Sequence, residues 1–219
     1  MDSYPRLIDF EAVLGFRDLG GYRVPDGRSV DWRRLFRSGE IRHITAQDLA
    51  RLKTQIGLKA VIDLRNARDG RQQQQEAEFL NEIGARYFYV PLNTGSGLSA
   101  EKELNSRSSH MGEIYLLRIQ QAECGRRLIE ALEIIAEPRN HPLLFHCVAG
   151  KDRPGVLAAF VLSLLNVADR DIVYDYTLTA PFIETFYDQV KSDPGTPKET
   201  LSLPAFTLGS LGPIHAVVS

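Results

Sequence analysis

Cysteine is scarce in this chain: Cys124 and Cys147 are the only two among 219 residues. Two thiols give no disulfide framework, so the fold must be held by its core, and a free thiol fits a reducing compartment, the cytoplasm. The five histidines stand singly, and none is spaced from the cysteines as zinc ligands are, so no metal site and no cofactor are expected. Long apolar runs are missing too. No segment reaches the roughly 20 apolar residues that a membrane-spanning helix needs. The opening Met1-Asp2-Ser3-Tyr4-Pro5-Arg6 lacks the apolar core of a signal peptide. An excess of one charge is also absent: the formal net charge is −2, which argues against a nucleic-acid partner or a membrane surface. There is no internal repeat, and Gln72 to Gln75 is no more than a solvated helix face. Nothing in the sequence fixes an oligomeric state.

What is present is an alternation of short apolar runs with helical spacing, the pattern of an α/β domain with a central, mostly parallel sheet flanked by helices. The length suits one such domain, expected over residues 1–191. Strands are predicted at Leu35-Phe36-Arg37-Ser38, Lys59 to Leu64, Arg86 to Val90 and Pro142 to Phe145. Helices are predicted after the N-cap Thr45 until Gly57, from Arg71 to Ile83 with Gly84 at the C-cap, and from Met111 to Glu137, broken or kinked near Gly125, until Pro138. Further helices are expected at Gly155 to Leu165, Asp169 to Thr177 and Phe182 to Val190. The polar stretch from Leu92 to His110 is long enough to be a rim over a pocket or a plain flexible loop. Residues 192–219 carry prolines, glycines and few periodic apolar residues, and are expected to form a loosely ordered tail.

The informative segment is His146-Cys147-Val148-Ala149-Gly150-Lys151-Asp152-Arg153-Pro154-Gly155, set between a predicted strand and a predicted helix. A loop turning from a strand into a helix start aims successive N–H groups inward, and the positive helix end adds to their pull on an anion. The amides of Val148, Ala149, Gly150, Lys151, Asp152 and Arg153 are therefore the candidate phosphate cradle. Cys147 lies at its floor as the candidate nucleophile. The Arg153 fork can grip two phosphate oxygens, and the same field favours the Cys147 thiolate. If Cys147 were merely a small buried hydrophobe, basic residues at the helix start would have no reason to be there. A Walker loop is excluded because Phe145 and Asp152 stand where it needs a glycine and a hydroxyl. In a rhodanese-type sulfurtransferase the cysteine meets a sulfane sulfur, for which an arginine suited to a tetrahedral dianion is the wrong closure.

The segment resembles the loop of the cysteine-dependent protein tyrosine phosphatase superfamily, in the bacterial and fungal branch that reads His-Cys-x-Ala-Gly-Lys-Asp-Arg-Thr-Gly. Phe16 to Tyr22, Leu35 to Glu40 and Val61 to Arg65 are similar to that branch as well, so the likeness runs from about Phe16 to about Thr179. The resemblance implies a tyrosine/dual-specificity phosphatase-like fold and a phosphomonoesterase. Its substrate would be a phosphorylated protein, on phosphotyrosine, phosphoserine or phosphothreonine, or a phosphoinositide. The departure is Pro154, where the family places a threonine or serine hydroxyl that can help the sulfur leave. Turnover is expected to slow at that step, and a catalytically weak phosphate-binding signalling module is the alternative.

The leaving oxygen needs a proton. Asp63 is the first candidate donor: it ends a predicted parallel strand, at the edge where α/β sheets bind ligands, and matches the aspartate of the family's Asp-Leu-Arg segment. Its alternative is a strand-end residue capping a turn. Asp152 is the second candidate donor, or a partner for Lys151 or Arg65. His146 should hold the loop's shape, because its side chain points opposite to that of Cys147. Arg17 and Asp18 are expected to pair beneath the loop, and Cys124 to be a bystander.

Overall fold

The apolar runs assemble as the core of a five-stranded sheet, in a computed structural model that describes residues 5–66, 70–92 and 119–192. The strands are β1 (Arg17–Asp18), β2 (Leu35–Ser38), β3 (Ala60–Asp63), β4 (Arg86–Tyr89) and β5 (Leu143–His146), in the order β1-β2-β5-β3-β4. β2, β5, β3 and β4 run parallel, and β1 pairs antiparallel with β2 at one edge. Parallel pairing brings Ser38, Asp63 and His146 level at the same end of the sheet, with His146 between the other two. That end is where open α/β sheets hold ligands.

The period-2 alternation of strands sorts the core into two layers. Phe36, Val61 and Leu144 face one side and pack with Leu52, Ile56 and Leu80. These last three come from a helical segment, α1 (Ala46–Arg51) continued by a π-helical turn (Leu52–Ile56), and from α2 (Gly70–Glu82). Thr45 caps α1 as expected, accepting the Asp48 N–H, and Gly57 ends the segment at φ +69°. On the opposite side Leu35, Ile62, Leu143 and Phe145 pack with Leu128, Leu157 and Leu162. Here the cover is α3 (Ala122–Ala136) and α4 (Asp152–Leu164), with α5 (Asp169–Thr177) and α6 (Ala180–Ser192) following. Each such fully buried Leu, Ile or Phe contributes roughly 1.5–3 kcal/mol. β5 therefore lies in the middle of a sheet covered on both faces, and its C-terminal end cannot shift without disturbing both layers.

The strands and helices expected on these residues are all found, with ends within a few residues, except that α3 runs through Gly125 without the break expected there. β1 is an addition: two residues between glycine-rich turns give no periodic signal. The expectations for residues 93–118 and 193–219, among them the rim loop, the start of the Met111 helix and the loose tail, lie outside the described residues.

Candidate active site

The loop from Cys147 to Lys151 leaves the end of β5 and enters α4, whose first residue is Asp152. Its shape is set by bonds to its carbonyls. The Glu40 N–H donates to the Val148 carbonyl at 3.0 Å, and Arg37 Nη2 donates to the carbonyls of Gly150 and Lys151 at 3.1 and 2.9 Å. Nδ1 of His146 lies 3.4 Å from the Cys147 carbonyl. Groups around the loop thus hold four of its carbonyls. The Gly150 N–H bonds to the sulfur of Cys147.

Gly150 has φ +68°, and a Cβ there would lie 2.4 Å from the Gly39 nitrogen and 2.6 Å from the Ser38 carbonyl carbon. Both a left-handed backbone and contact with β2 demand glycine. Gly150→Ala is expected to cost about 2–5 kcal/mol of stability from strain and overpacking together. Inorganic phosphate binding, measured by titration calorimetry, should be lost with it. Gly155 is a second close approach, since a Cβ there would meet the Tyr176 ring at 2.8 Å.

Cys147 is 2 % exposed, while Val148, Ala149, Asp152 and Arg153 are half-buried. The loop's field favours the thiolate as expected, but it does not decide the outcome. Burial pushes the thiol up and the Asp152 charge adds to that, outweighing Arg153, the Gly150 N–H and Arg37, which pull it down. The unliganded cysteine is held toward the thiol, with Asp152 near enough to act on it.

Arg153 reaches back, donating from Nη1 to the Leu64 carbonyl at 3.2 Å. Lys151 is mostly buried, with its ammonium 5.9 Å from the centre of the Tyr176 ring, and burial pushes its pKa down. Asp152 accepts from the Tyr176 hydroxyl at 3.3 Å. The suggested pairing of Asp152 with Arg65 does not form, because Arg65 turns to Asp63, Glu76 and Glu40. Pro154 is the third residue of α4, among the positions whose N–H has no acceptor within the helix.

Asp63 has the position expected of it and the wrong surroundings for a proton donor. It is fully buried, and its oxygens accept from the Arg65 backbone N–H, from Arg65 Nε and Nη2 and from the Tyr87 hydroxyl, at 2.7 to 2.9 Å. Burial pushes its carboxyl up, but His146, Arg65 and Tyr87 together hold it below the ordinary range. It is an ionised structural carboxylate at a strand end. His146 is fully buried too, and burial lowers it to about 4, so the ring is neutral. Asp63, Glu76 and His146 converge as metal ligands can, but the guanidinium of Arg65 stands against both carboxylates and is the cation they pair with.

The expected pair of Arg17 and Asp18 does not form. Neighbouring strand residues face opposite sides, so Asp18 accepts from the amides of Gly20 and Arg33 while Arg17 turns to Asp175 and Thr179. Asp175, on α5, also holds Arg37 at 2.7 Å. Arg37, Asp175, Tyr176 and Glu76 are the residues that sequence reasoning passed over. The available signal was the charge of Arg37 inside the apolar strand Leu35-Phe36-Arg37-Ser38.

A buried thiol in the loop between the end of a central parallel strand and a helix, with an arginine six residues on, sits at the ligand-binding edge of an α/β fold. The chain belongs to the tyrosine phosphatase family, which it matches over residues 8–209 and so beyond both ends of the Phe16–Thr179 likeness. It is 34 % identical over 182 residues to a candidate tyrosine-protein phosphatase of Cupriavidus necator, covering 77 % of this chain and 61 % of that one. With a tyrosine-protein phosphatase of Nostoc commune it shares 27 % over 150 residues, 68 % of this chain and 49 % of that one. The chain thus spans half to three-fifths of the length of these relatives. Among solved structures it is similar to the core catalytic domain of the PP-IP phosphatase SIW14 from S. cerevisiae. The identity is 21 % and the TM-score 0.46, covering 81 % of this chain and 86 % of that one. No helix among the described residues is long and apolar enough to cross a membrane.

Proposed function

We propose that this protein hydrolyses phosphomonoesters through a phosphocysteine intermediate, acting on phosphotyrosine, with phosphoserine, phosphothreonine and phosphoinositides as further members of the same substrate class. The observation that carries the reading is the outward binding of the Cys147, Val148, Gly150 and Lys151 carbonyls, which leaves the loop amides for an oxyanion above the sulfur.

In this reading the phosphate enters with its equatorial oxygens on the amides of Val148 to Arg153 and on the Arg153 guanidinium. The thiol proton passes to Asp152, whose charge already acts on the sulfur. Sulfur then attacks phosphorus, the ester P–O bond breaks, and Asp152 returns its proton to the leaving oxygen. Water next attacks the phosphocysteine. Asp152 takes a proton from it, the P–S bond breaks, inorganic phosphate departs, and Asp152 gives that proton to the sulfur, restoring the thiol. Asp152 is preferred to Asp63 as the donor because it is half-buried, whereas the oxygens of Asp63 are enclosed.

Pro154 favours a second reading, a phosphate-binding module that turns over poorly, since no hydroxyl stands there to help the thiolate leave. Rapid-quench kinetics with para-nitrophenyl phosphate, together with mass spectrometry of the quenched protein, separates the two. An enzyme releases phosphate over many turnovers. A binding module gives a single burst and a trapped phosphocysteine, and absence of both the burst and the adduct rejects the mechanism. Pro154→Thr is expected to raise the second-step rate roughly tenfold, the effect of one hydrogen bond of about 1.4 kcal/mol made to the departing sulfur. A side-by-side panel of phosphopeptides and phosphoinositides tests the substrate assignment, which fails if no phosphotyrosine peptide is hydrolysed.

A further inference from the structure

Two buried polar atoms beside the loop lack a hydrogen-bond partner, Oε1 of Glu76 and Nε2 of His146. Such atoms cost about 1–3 kcal/mol each when left unpaired, and they are rare. Glu76 is 1 % exposed on α2, and His146 is fully buried at the end of β5. A carboxylate oxygen of each of Asp63 and Glu76 and a ring nitrogen of His146 all lie within 4.8 Å of one another. Groups at that range are within reach of a small carboxyl rotation or one bridging water, and Oε1 and Nε2 are the two without partners.

The donor count decides what can join the two atoms. Nδ1 of His146 faces the Cys147 carbonyl, which only accepts, so Nδ1 must carry the ring's hydrogen. Nε2 is then a bare lone pair in need of a donor. Asp63 is occupied by Arg65 and Tyr87, so its oxygens and the Tyr87 hydroxyl are already used. Oε2 of Glu76 accepts from Arg65.

We propose that Glu76 is a positioning residue of the active site, donating a proton from Oε1 to Nε2 of His146 and so fixing the imidazole tautomer whose Nδ1–H holds the Cys147 carbonyl. The groups around it agree. Burial raises Glu76 to about 7; Arg65 pulls it back, while the negative charges of Asp63 and Glu40 push it up. Burial lowers His146 to about 4, with Arg65 and Arg153 adding to that and Asp63 opposing it. Between those two values the acidic proton resides on Glu76 and the ring stays neutral, which is the required arrangement. Above about 7 the proton is lost and Oε1 faces Nε2 as one acceptor against another. The ring then moves its hydrogen to Nε2, and the first carbonyl of the loop is released.

The test is nitrogen-15 NMR of the His146 ring from about pH 5.5 to about 8.5, in the parent protein and in Glu76→Gln. The parent should hold the Nδ1–H tautomer at the acidic end and shift toward Nε2–H above neutrality. Glu76→Gln, whose amide donates at every pH, should keep Nδ1–H throughout. A parent tautomer that does not change with pH, or a variant whose titration overlays that of the parent, overturns the proposal. A kinetic arm rests on the phosphatase reading above: Glu76→Ala should lower kcat roughly tenfold with KM little changed, a loss typical of outer partners of an active group, and Glu76→Gln should recover most of it. If the protein has no phosphatase activity only that arm is lost, because the tautomer is read without turnover.

Discussion

Replacing Cys147 with serine is expected to abolish turnover and leave the loop intact. Serine is isosteric to within the sulfur's extra radius, and none of the bonds that hold the loop carbonyls passes through the sulfur. The hydroxyl is a far weaker nucleophile and a poorer leaving group than the thiolate, so both displacements suffer. A fall in kcat of roughly 10⁴-fold or more follows, with inorganic phosphate affinity unchanged to within about threefold. Hydrolysis of para-nitrophenyl phosphate by the variant at the parent's rate would reject the phosphocysteine route. Loss of phosphate binding along with catalysis would instead show that the sulfur shapes the cradle. The raised pKa of the thiol sharpens the comparison. If Asp152 carries the thiol proton to the leaving oxygen, Asp152→Asn should slow the first step even with an activated leaving group, because ionisation of the nucleophile is itself impaired.

How far the site could be read from the chain depends on how local its determinants are. The strand–loop–helix frame around Cys147 was legible because strand, cysteine, glycines, arginine and helix follow one another without interruption, and the backbone rules for such a turn are local. The strand-end rule brought Asp63 to the correct edge of the sheet. It could not reveal that Arg65, two residues on, folds back and encloses the carboxylate. The positive field on Cys147 was legible from its neighbours, but the desolvation that outweighs it depends on how deeply β5 is packed, which no short segment states. Adjacency misled for Arg17 and Asp18, where alternation along a strand separates neighbours and the true partner of Arg17 is 158 residues away. Arg37 meets the same aspartate across 138 residues. Contacts of that range are fixed by the fold, and the sequence carries them only as unexplained charges in apolar surroundings.

That remote contact yields the second large effect. Asp175 is 1 % exposed and lies between Arg17 and Arg37, both fully buried, with the Tyr22 hydroxyl at 3.3 Å as well. Removing one partner of a buried ion pair leaves the other charge uncompensated, at about 3–5 kcal/mol. Here two guanidiniums would be left, each repelling the other; even with Asp175 present, burial and Arg37 lower Arg17 to about 10. Asp175→Ala is therefore expected at the upper end of that range, a large part of the 5–15 kcal/mol by which domains are stable. Arg37 would also lose the anchor that aims its Nη2 at the Gly150 and Lys151 carbonyls, so phosphate affinity should fall even in the folded fraction. Acid provides the control. Burial pushes the Asp175 carboxyl up, but Arg17 and Arg37 outweigh it and hold it below its ordinary value. Its contribution is thus complete above the unfolded value of about 4 and disappears as the pH falls through the lower folded one. Urea denaturation should show the gap between parent and variant at neutral pH narrowing in acid. A gap that stays constant with pH would assign the loss to packing, and the ion pairs would then not be what holds the loop's foundation.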